Sequence, residues 1–168
     1  MAATFSPLAT VTVGSGGAST IDFSNIPSSY TDLCVLLSLR SSDTGFVDPN
    51  IKFNNTNTNK TNYYFRGSGS SYGGGEYPLS IGTIPGANKT VSTFASTIIY
   101  IAGYSNTSIN KAFTTDTVNE DNATLAYTTL MGGIWASTDA INQITFAQNF
   151  VEYCTATLYS ISRNSIAS

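Results

Sequence analysis

The stretch from 135 to 161, WASTDAINQITFAQNFVEYCTATLYSI, constrains the fold more than any other part of the sequence. In its first half, the apolar residues Ile144, Phe146 and Phe150 alternate with polar side chains, which is the two-residue period of a half-buried β-strand. After the polar break at Glu152, residues 154–161 are rich in Thr, Tyr and Ile, which favour a second strand. We therefore predict that these two strands form an antiparallel hairpin that closes a β-sheet core.

Charged side chains are too scarce for long amphipathic helices. The 168 residues include 7 Lys and Arg and 10 Asp and Glu, which is 10% in total, whereas an ordinary globular protein has about 25%. Ser, Thr and Asn supply the polarity instead, and they are poor formers of helix interiors. Strand-like runs separated by turn-rich loops number about nine or ten. The sequence therefore predicts an all-β chain, with one domain over 1–168 that is a jelly-roll-like antiparallel β-sandwich.

Three segments give more specific expectations. Residues 33–40, LCVLLSLR, are apolar on both faces in their first half, which predicts a strand in the middle of a sheet, covered on both sides. Residues 125–135 predict a strand with a bulge or a sharp bend at Gly132 and Gly133. Residues 54–75 are rich first in Asn and Thr and then in Gly and Ser, so a flexible loop region is expected there.

Charge and hydropathy exclude several classes of partner. The formal net charge is −3 and no basic cluster is present, which disfavours nucleic acid and anionic membranes. No apolar run approaches the ~20 residues that span a bilayer. The start of the chain, MAATFSPLATVTV, lacks the basic and apolar regions of a secretory signal, so the product is expected to begin in the cytosol. So few charges give little protection against self-association, which favours a subunit of an assembly.

The chain offers little catalytic chemistry. It contains no histidine, so a Ser-His-Asp or Cys-His device is excluded, and we predict no catalytic, cofactor-binding or metal-ligating residue. Three acids cluster in 116–122, and Asp43 and Asp48 lie near each other in 43–48. Both segments are expected to be solvated loops, with calcium as the alternative, although neither has the alternating spacing of a calcium loop.

The two cysteines, Cys34 and Cys154, lie in strand-like runs. One interpretation is two buried free thiols that pack as small apolar side chains. The other is a disulfide, which requires the two strands to be adjacent.

Exposed aromatic residues are the main functional signal in the residues themselves. Tyr63, Tyr64, Phe65 and Tyr72 lie in or beside segments too polar to supply a core of their own. Aromatic rings give a large contact area at low entropic cost, so these four are candidates for a protein interface or a glycan contact. The alternative is that Tyr63 and Phe65 belong to a strand and point into the sandwich.

Three segments also share a pattern with a known group of proteins. They are IDFSNIPSSYTDLCVLLSLRS (21–41), the FNN followed by NYYFRG (53–67), and the stretch 135–161. An Ile-Pro turn leads into an Asp-Leu strand, a Phe-Asn and an Asn-Tyr element follow, and a Trp with an Ala-Ile strand precedes a terminal Leu-Tyr-x-Ile. In these features the chain resembles small virion structural proteins of tailed bacteriophages, particularly cyanophages. Ser160 stands where the group usually has Gly.

The resemblance implies a jelly-roll-like β-sandwich that works as a homo-oligomer, most simply a trimer, on a virion assembled in the host cytoplasm. It implies no catalytic residue. The first role it suggests is a capsid decoration (cement) protein that binds the major capsid protein or other virion proteins and stabilises the shell. We favour this role because one domain fills the 168 residues. A tail fibre or receptor-binding tip that contacts host surface glycan is the alternative, a carbohydrate-binding module is third, and an enzyme is not expected.

Overall fold

The described part of the chain consists of β-strands joined by turns and loops. The computed structural model describes residues 4–76, 80–120 and 126–162. The strands in these residues are β1 (Thr4–Thr12), β2 (Ala18–Phe23), β3 (Asp32–Leu39), β4 (Phe46–Val47), β5 (Asn50–Phe53), β6 (Lys60–Gly67), β7 (Tyr72–Glu76), β8 (Ile84–Pro85), β9 (Ala95–Ile101), β10 (Lys111–Glu120), β11 (Ala126–Trp135), β12 (Ile144–Phe150) and β13 (Thr155–Ser162). Nothing helical in the described residues is long and apolar enough to cross a membrane.

Two antiparallel sheets enclose the core. Eight strands form the large sheet, in the order β1-β13-β3-β9-β10-β11-β6-β7, and three form the small sheet, in the order β2-β12-β5. The buried apolar side chains of both sheets make one cluster between them. The predicted all-β antiparallel sandwich is therefore confirmed. The described residues contain thirteen strands, of which eleven are in these two sheets and β4 and β8 pair in a separate two-stranded sheet. The number exceeds the nine or ten predicted, because two-residue strands are too short to show a period in the sequence.

The predicted closing hairpin of 135–161 is wrong in its pairing. β12 pairs with β2 and β5 in the small sheet, whereas β13 pairs with β1 and β3 in the large sheet. The turn between them crosses from one sheet to the other, and Tyr153 adopts a positive φ of 71° there. The Val13 N–H donates to the Cys154 carbonyl at 2.8 Å, and this bond ties the turn to the end of β1. The alternation itself was right, because Ile144, Phe146 and Phe150 are all buried.

β3 has the predicted central place, and it has the predicted cover on both faces only in its first half. It lies between β13 and β9 in the large sheet, and Val35, Leu37 and Leu39 point into the core. On its other face Leu36 is 38% exposed. In its first half the strand is covered on both faces, because Cys34 on the outer side is only 7% exposed. In its second half only the core covers it, and Leu36 belongs to the surface.

The predicted bulge at Gly132 and Gly133 is absent. β11 keeps a continuous register with β10 and with β6 through both glycines. Gly133 faces the core, where a Cβ atom would lie 2.4 Å from Cζ of Phe113. Close packing against that ring, rather than a bend, explains the glycine.

Residues 80–85 are buried against the inner face of the large sheet at β6 and β10. Buried side chains of the large sheet donate hydrogen bonds to carbonyls of this segment: Asn62 to Ser80 at 3.0 Å, Thr117 to Ile81 at 2.6 Å and Asn119 to Thr83 at 2.6 Å. Gly82 has a φ of +109°, and a Cβ there would lie 2.4 Å from Oγ1 of Thr117. The backbone of residues 80–85 makes few hydrogen bonds to other strands. Polar side chains on the inner face of the large sheet bind its carbonyl groups instead.

The region 54–75, expected as a flexible loop, contains β6 and most of β7. These two strands pair from Tyr63 opposite Glu76 to Gly67 opposite Tyr72. The connecting turn is closed by the Ser68 N–H, which donates to the Ser71 carbonyl at 2.9 Å. The hairpin forms one end of the large sheet.

Candidate interaction surface

A row of exposed apolar side chains crosses the outer face of the large sheet, which is the face turned away from the small sheet. Backbone pairing aligns one outward-pointing residue from each of five successive strands: Leu36, Ile98, Asp116, Leu130 and Phe65. The four apolar members are 38%, 48%, 52% and 58% exposed, in that order. Large apolar groups thus lie side by side in water, with one carboxylate among them.

Further apolar side chains flank this row. Tyr63, Val118 and Ile134 point outward from the same strands and are each about half exposed or more. Gly132 lies opposite Tyr63 in register, and no atom comes within 4 Å of the position that its Cβ would take. We call these seven apolar residues the apolar patch: Leu36, Ile98, Leu130 and Phe65 in the row, with Tyr63, Val118 and Ile134 beside it. Exposed apolar side chains concentrated on one face in this way mark interaction sites in soluble proteins.

The four aromatic residues singled out in the sequence are divided between two faces. Tyr63 and Phe65 point outward from β6 rather than into the sandwich. Tyr72 on β7 is 85% exposed, and its ring stacks on that of Phe65 with a centroid distance of 6.4 Å. Tyr64 is half-buried on the opposite side of β6, where its ring lies 5.6 Å from the Arg66 guanidinium. Three of the four therefore share the outer face, and Tyr64 does not.

A polar cleft lies at the end of the β6–β7 hairpin. It has a volume of about 260 Å³ and is lined by Arg66, Ser68, Ser71, Tyr72, Gly73 and Tyr127. The Arg66 guanidinium carbon lies 4.7 Å from the centroid of the Tyr127 ring. The hydroxyl oxygens of Ser68 and Ser71 are 2.6 Å apart. A guanidinium, two hydroxyls and an exposed ring are groups that bind sugar hydroxyls and acidic substituents.

The buried cations are engaged by the backbone. Lys111 is fully buried, and its Nζ donates to the carbonyls of Asn106 at 2.7 Å, Ile109 at 2.8 Å and Thr138 at 3.1 Å. Burial lowers the pKa of Lys111, and the nearby Asp139 offsets part of that shift. The lysine therefore holds together two loops at the start of β10, one that contains Asn106 and Ile109 and one that contains Thr138.

Arg40 plays the same part for the loop 87–93. Its guanidinium donates to the carbonyls of Thr90 at 2.7 Å, Lys89 at 2.9 Å and Thr93 at 2.9 Å. The side chain is only 7% exposed. A planar group with several fixed donors suits a cluster of carbonyls better than an ammonium does.

Lys60 lies at the start of β6 and is partly buried. Its Nζ donates to the Ile51 carbonyl at 2.5 Å and lies 5.5 Å from the centroid of the Phe53 ring. Burial, and to a smaller extent the charge of Lys52, lower the pKa of Lys60 to about 8. This lysine therefore titrates in a range where most lysines remain charged.

The acidic residues are spread over different environments. Asp116 lies within β10 on the outer face, and Glu120 ends that strand, so the solvated loop expected at 116–122 is wrong for 116–120. Asp121 lies outside the described residues. Asp43 accepts hydrogen bonds from Gln148 at 2.6 Å and Asn149 at 3.0 Å. Asp48 accepts one from the Thr83 hydroxyl at 2.6 Å. Over 4–76, 80–120 and 126–162, no three His, Cys, Asp or Glu side chains come close enough to hold a metal ion.

Both cysteines are free and buried. β3 and β13 are adjacent, but Cys34 lies opposite Tyr159, whereas Cys154 precedes Thr155, which lies opposite Ser38. The register therefore keeps the two sulfurs apart, and the disulfide interpretation is wrong. The Cys154 sulfur lies 3.2 Å from the backbone nitrogen of Arg40 and 3.2 Å from the carbonyl oxygen of the same residue. Burial raises the pKa of both thiols, which keeps them protonated at neutral pH.

Sequence reasoning missed most of the apolar patch. Leu36 lies in an apolar run that was expected to be buried, and Leu130 lies beside the buried Met131. Nothing local distinguishes either leucine from a core residue. Only the register between strands places them in one row, and register depends on long-range pairing. Tyr63, Phe65 and Tyr72 were found because their neighbours are polar.

Comparisons of the chain with protein-family models, with curated proteins and with solved structures found no match. Its function is therefore inferred from the geometry of the outer face, together with the sequence resemblance described above.

Proposed function

We propose that this protein is a non-enzymatic structural protein of a phage virion, and specifically a capsid decoration protein that binds and stabilises the assembled shell. The observation that carries the proposal is the row formed by Leu36, Ile98, Leu130 and Phe65, exposed on neighbouring strands. Side chains of this size lose unfavourable contact with water when another protein covers them. The resemblance to virion proteins suggests which protein this partner is: the major capsid protein or a neighbouring virion protein.

The outer face suits a broad contact of this kind. Each strand that carries the row is paired on both sides, so the patch is held on a rigid sheet and little entropy is lost when it binds. Asp116 is the one ionisable member of the central row. A surface with so little charge favours contact over area rather than recognition of a charged ligand.

The buried ionisable groups also support a structural role. Lys111 and Arg40 bind backbone carbonyls and so stabilise loops. The ammonium group of Lys111 and the guanidinium group of Arg40 thus donate their hydrogen bonds within the protein.

The direct test is re-addition of the purified protein to capsids from which it has been stripped. We expect saturable binding and a higher melting temperature of the decorated shell. A protein that fails to bind, or that binds and leaves the melting temperature unchanged, would refute the decoration role.

The polar cleft favours a second candidate, a tail fibre or receptor-binding tip that contacts host surface glycan. In this role Arg66 binds an acidic substituent in the cleft, and Tyr72, whose ring lies on the outer face, stacks on a neighbouring sugar ring. The role predicts saturable binding to host cells that soluble lipopolysaccharide or polysaccharide competes away. Tyr72→Ala should weaken this binding, and unchanged binding would exclude the cleft as the contact.

A further inference from the structure

The two edges of the large sheet differ in how they are protected from other strands. At one edge, β1 contains Pro7, and its register with β13 shifts between Pro7 and Ala9. Proline and bulges are the devices by which natural sheets block pairing at an edge. At the other edge, β7 has the sequence Tyr-Gly-Gly-Gly-Glu, and all five residues are exposed. It pairs with β6 without a register shift, and no described strand pairs with its other side.

We infer that β7 pairs in antiparallel fashion with β7 of a second copy of this chain, about a twofold axis at Gly74. In this register, Gly74 faces its own counterpart, and Gly73 of each copy faces Gly75 of the other. The three central positions carry no side chain, so the two backbones approach without a clash. The pairing completes the hydrogen bonds that an isolated edge leaves to water.

The ends of β7 are the reason for choosing a second copy as the occupant. Antiparallel pairing centred at Gly74 places Tyr72 of one copy opposite Glu76 of the other. The twofold axis repeats this pair, so the contact contains two of them. A phenol hydroxyl can donate to a carboxylate, so the strand is complementary to itself. The two Glu76 side chains are about 14 Å apart along the strands, four residues at ~3.4 Å each. Like charges are therefore kept apart.

The contact also extends the apolar patch. Gly74 lies opposite Phe65 in register, so the row of Leu36, Ile98, Leu130 and Phe65 ends at the proposed axis. Pairing at β7 joins the outer faces of two copies into one continuous surface. A twofold contact builds dimers, in place of the trimer expected from the sequence resemblance, and it does not depend on the shell partner.

Five residues of edge bury far less than the roughly 800 Å² per partner of a standard stable interface. The free dimer is therefore expected to be weak, and a covalent trap is the appropriate test. Opposed residues in an antiparallel pair have Cα atoms ~4.5–5.5 Å apart, within the ~4.4–6.8 Å that a disulfide spans. Gly73→Cys and Gly75→Cys are suitable variants, because a Cβ at Gly73 meets nothing within 4 Å and one at Gly75 comes no closer than 3.7 Å to Tyr64.

The experiment is mild oxidation of the purified variants, separately and as an equal mixture, followed by a non-reducing gel. The mixture should give a disulfide-linked dimer of the two variants. Each variant alone should give at least about tenfold less disulfide-linked dimer. In that case the two introduced cysteines occupy the same position in the two copies, and the register offsets them by two residues. Their Cα atoms then lie roughly 8 Å apart, beyond the reach of a disulfide. The wild-type protein is the control for Cys34 and Cys154, which are buried.

Two results would overturn the inference. A mixture that gives no more dimer than either variant alone would exclude the register. Native mass measurement of the wild-type protein at high concentration that gives trimers instead of dimers would exclude the twofold axis. Neither result bears on binding to capsids, so failure here is distinguishable from failure of the proposed function.

Discussion

Leu130 on β11 and Phe65 on β6 lie directly opposite each other in register, and both side chains point away from the core. They are 52% and 58% exposed. A cross-strand pair of this kind stabilises a sheet modestly on its own, by about 0.2–1 kcal/mol. Under the proposed function, a partner covers both of these exposed side chains.

Leu130→Lys tests the apolar patch without disturbing the fold. The introduced ammonium group would lie opposite Asp116, a favourable cross-strand pair, so the free energy of unfolding should change by no more than about 0.5 kcal/mol. Binding to stripped capsids should weaken by about tenfold or more, because the contact would lose the apolar surface of the leucine and gain an ammonium group that must give up its water. The measurements are chemical unfolding and co-sedimentation with capsids.

The matched control is Ser19→Lys, which adds the same charge at an exposed position of β2 in the small sheet. This variant should bind capsids as the wild type does. Equal loss of binding in the two variants would show that charge alone matters, and normal binding of Leu130→Lys would exclude the patch.

The adjacent glycines of β11 should respond very differently to alanine. A Cβ at Gly133 would lie 2.4 Å from Cζ of Phe113 and 2.7 Å from Oδ1 of Asn62, whereas one at Gly132 meets nothing within 4 Å. Gly133→Ala should therefore lower the free energy of unfolding by about 1–3 kcal/mol. Gly132→Ala should leave it unchanged or raise it by about 0.5 kcal/mol. Equal stability of the two variants in urea would contradict the continuous register of β11.

Arg40→Lys should loosen the loop 87–93. The lysine keeps the charge but loses the planar array of donors that binds three carbonyls, so we expect a loss of about 2–3 kcal/mol in the free energy of unfolding. Amide hydrogen exchange in 87–93 should rise at the same time. Arg66→Lys is the control, because Arg66 has one long hydrogen bond of 3.4 Å to Thr83 and a partly exposed position, and it should lose less than about 1 kcal/mol. Unaltered exchange in 87–93 would argue against the role of Arg40.

Lys60 should make stability depend on pH in the alkaline range. Its pKa of about 8 lies below the usual 10.5, so between these values the unfolded chain binds more protons than the folded one. The free energy of unfolding should therefore rise with pH across this window, and the penalty of the buried charge is fully present below pH 8. Relative to Lys60→Met, the wild type should gain about 2 kcal/mol between pH 7 and 10, after allowance for solvent screening.

The comparison with Lys60→Met is needed because other groups act in the opposite sense. The buried thiols and Tyr104 have raised pKa values, so the folded state retains their protons and stability falls as the unfolded groups ionise. Subtracting the variant removes these contributions. A difference between wild type and variant that stays constant with pH would contradict the burial of Lys60.

The sequence predicted the local structure better than the pairing. The alternation of Ile144, Phe146 and Phe150 identified β12 and its buried side, because a period of two is a local property. The next strand, β13, was assigned to the wrong sheet. Adjacent strands usually pair, but the turn at Tyr153 carries the chain across the sandwich, and local composition does not specify that crossing.

The interaction surface was predictable only in part. Tyr63, Phe65 and Tyr72 were identifiable because aromatic residues among Gly, Ser and Asn have no local core. Leu36 was not, since apolar residues on both faces of a strand indicate cover on both sides. Leu130 was not, since its position in the row depends on the pairing of β11 with its neighbours. An apolar strand face of this kind is exposed in the single chain when the protein that covers it is another molecule.

The most direct test of the proposed function is cryo-electron microscopy of the intact virion, with the copies of this chain counted and oriented. Hundreds of copies on the icosahedral shell, with Leu36, Ile98, Leu130 and Phe65 against a neighbouring protein, are the predicted result. Copies confined to the tail would contradict the decoration role and favour the receptor-binding one. Shell copies with the apolar patch open to solvent would contradict the assignment of the contact face, and absence from the particle would contradict the virion proposal itself.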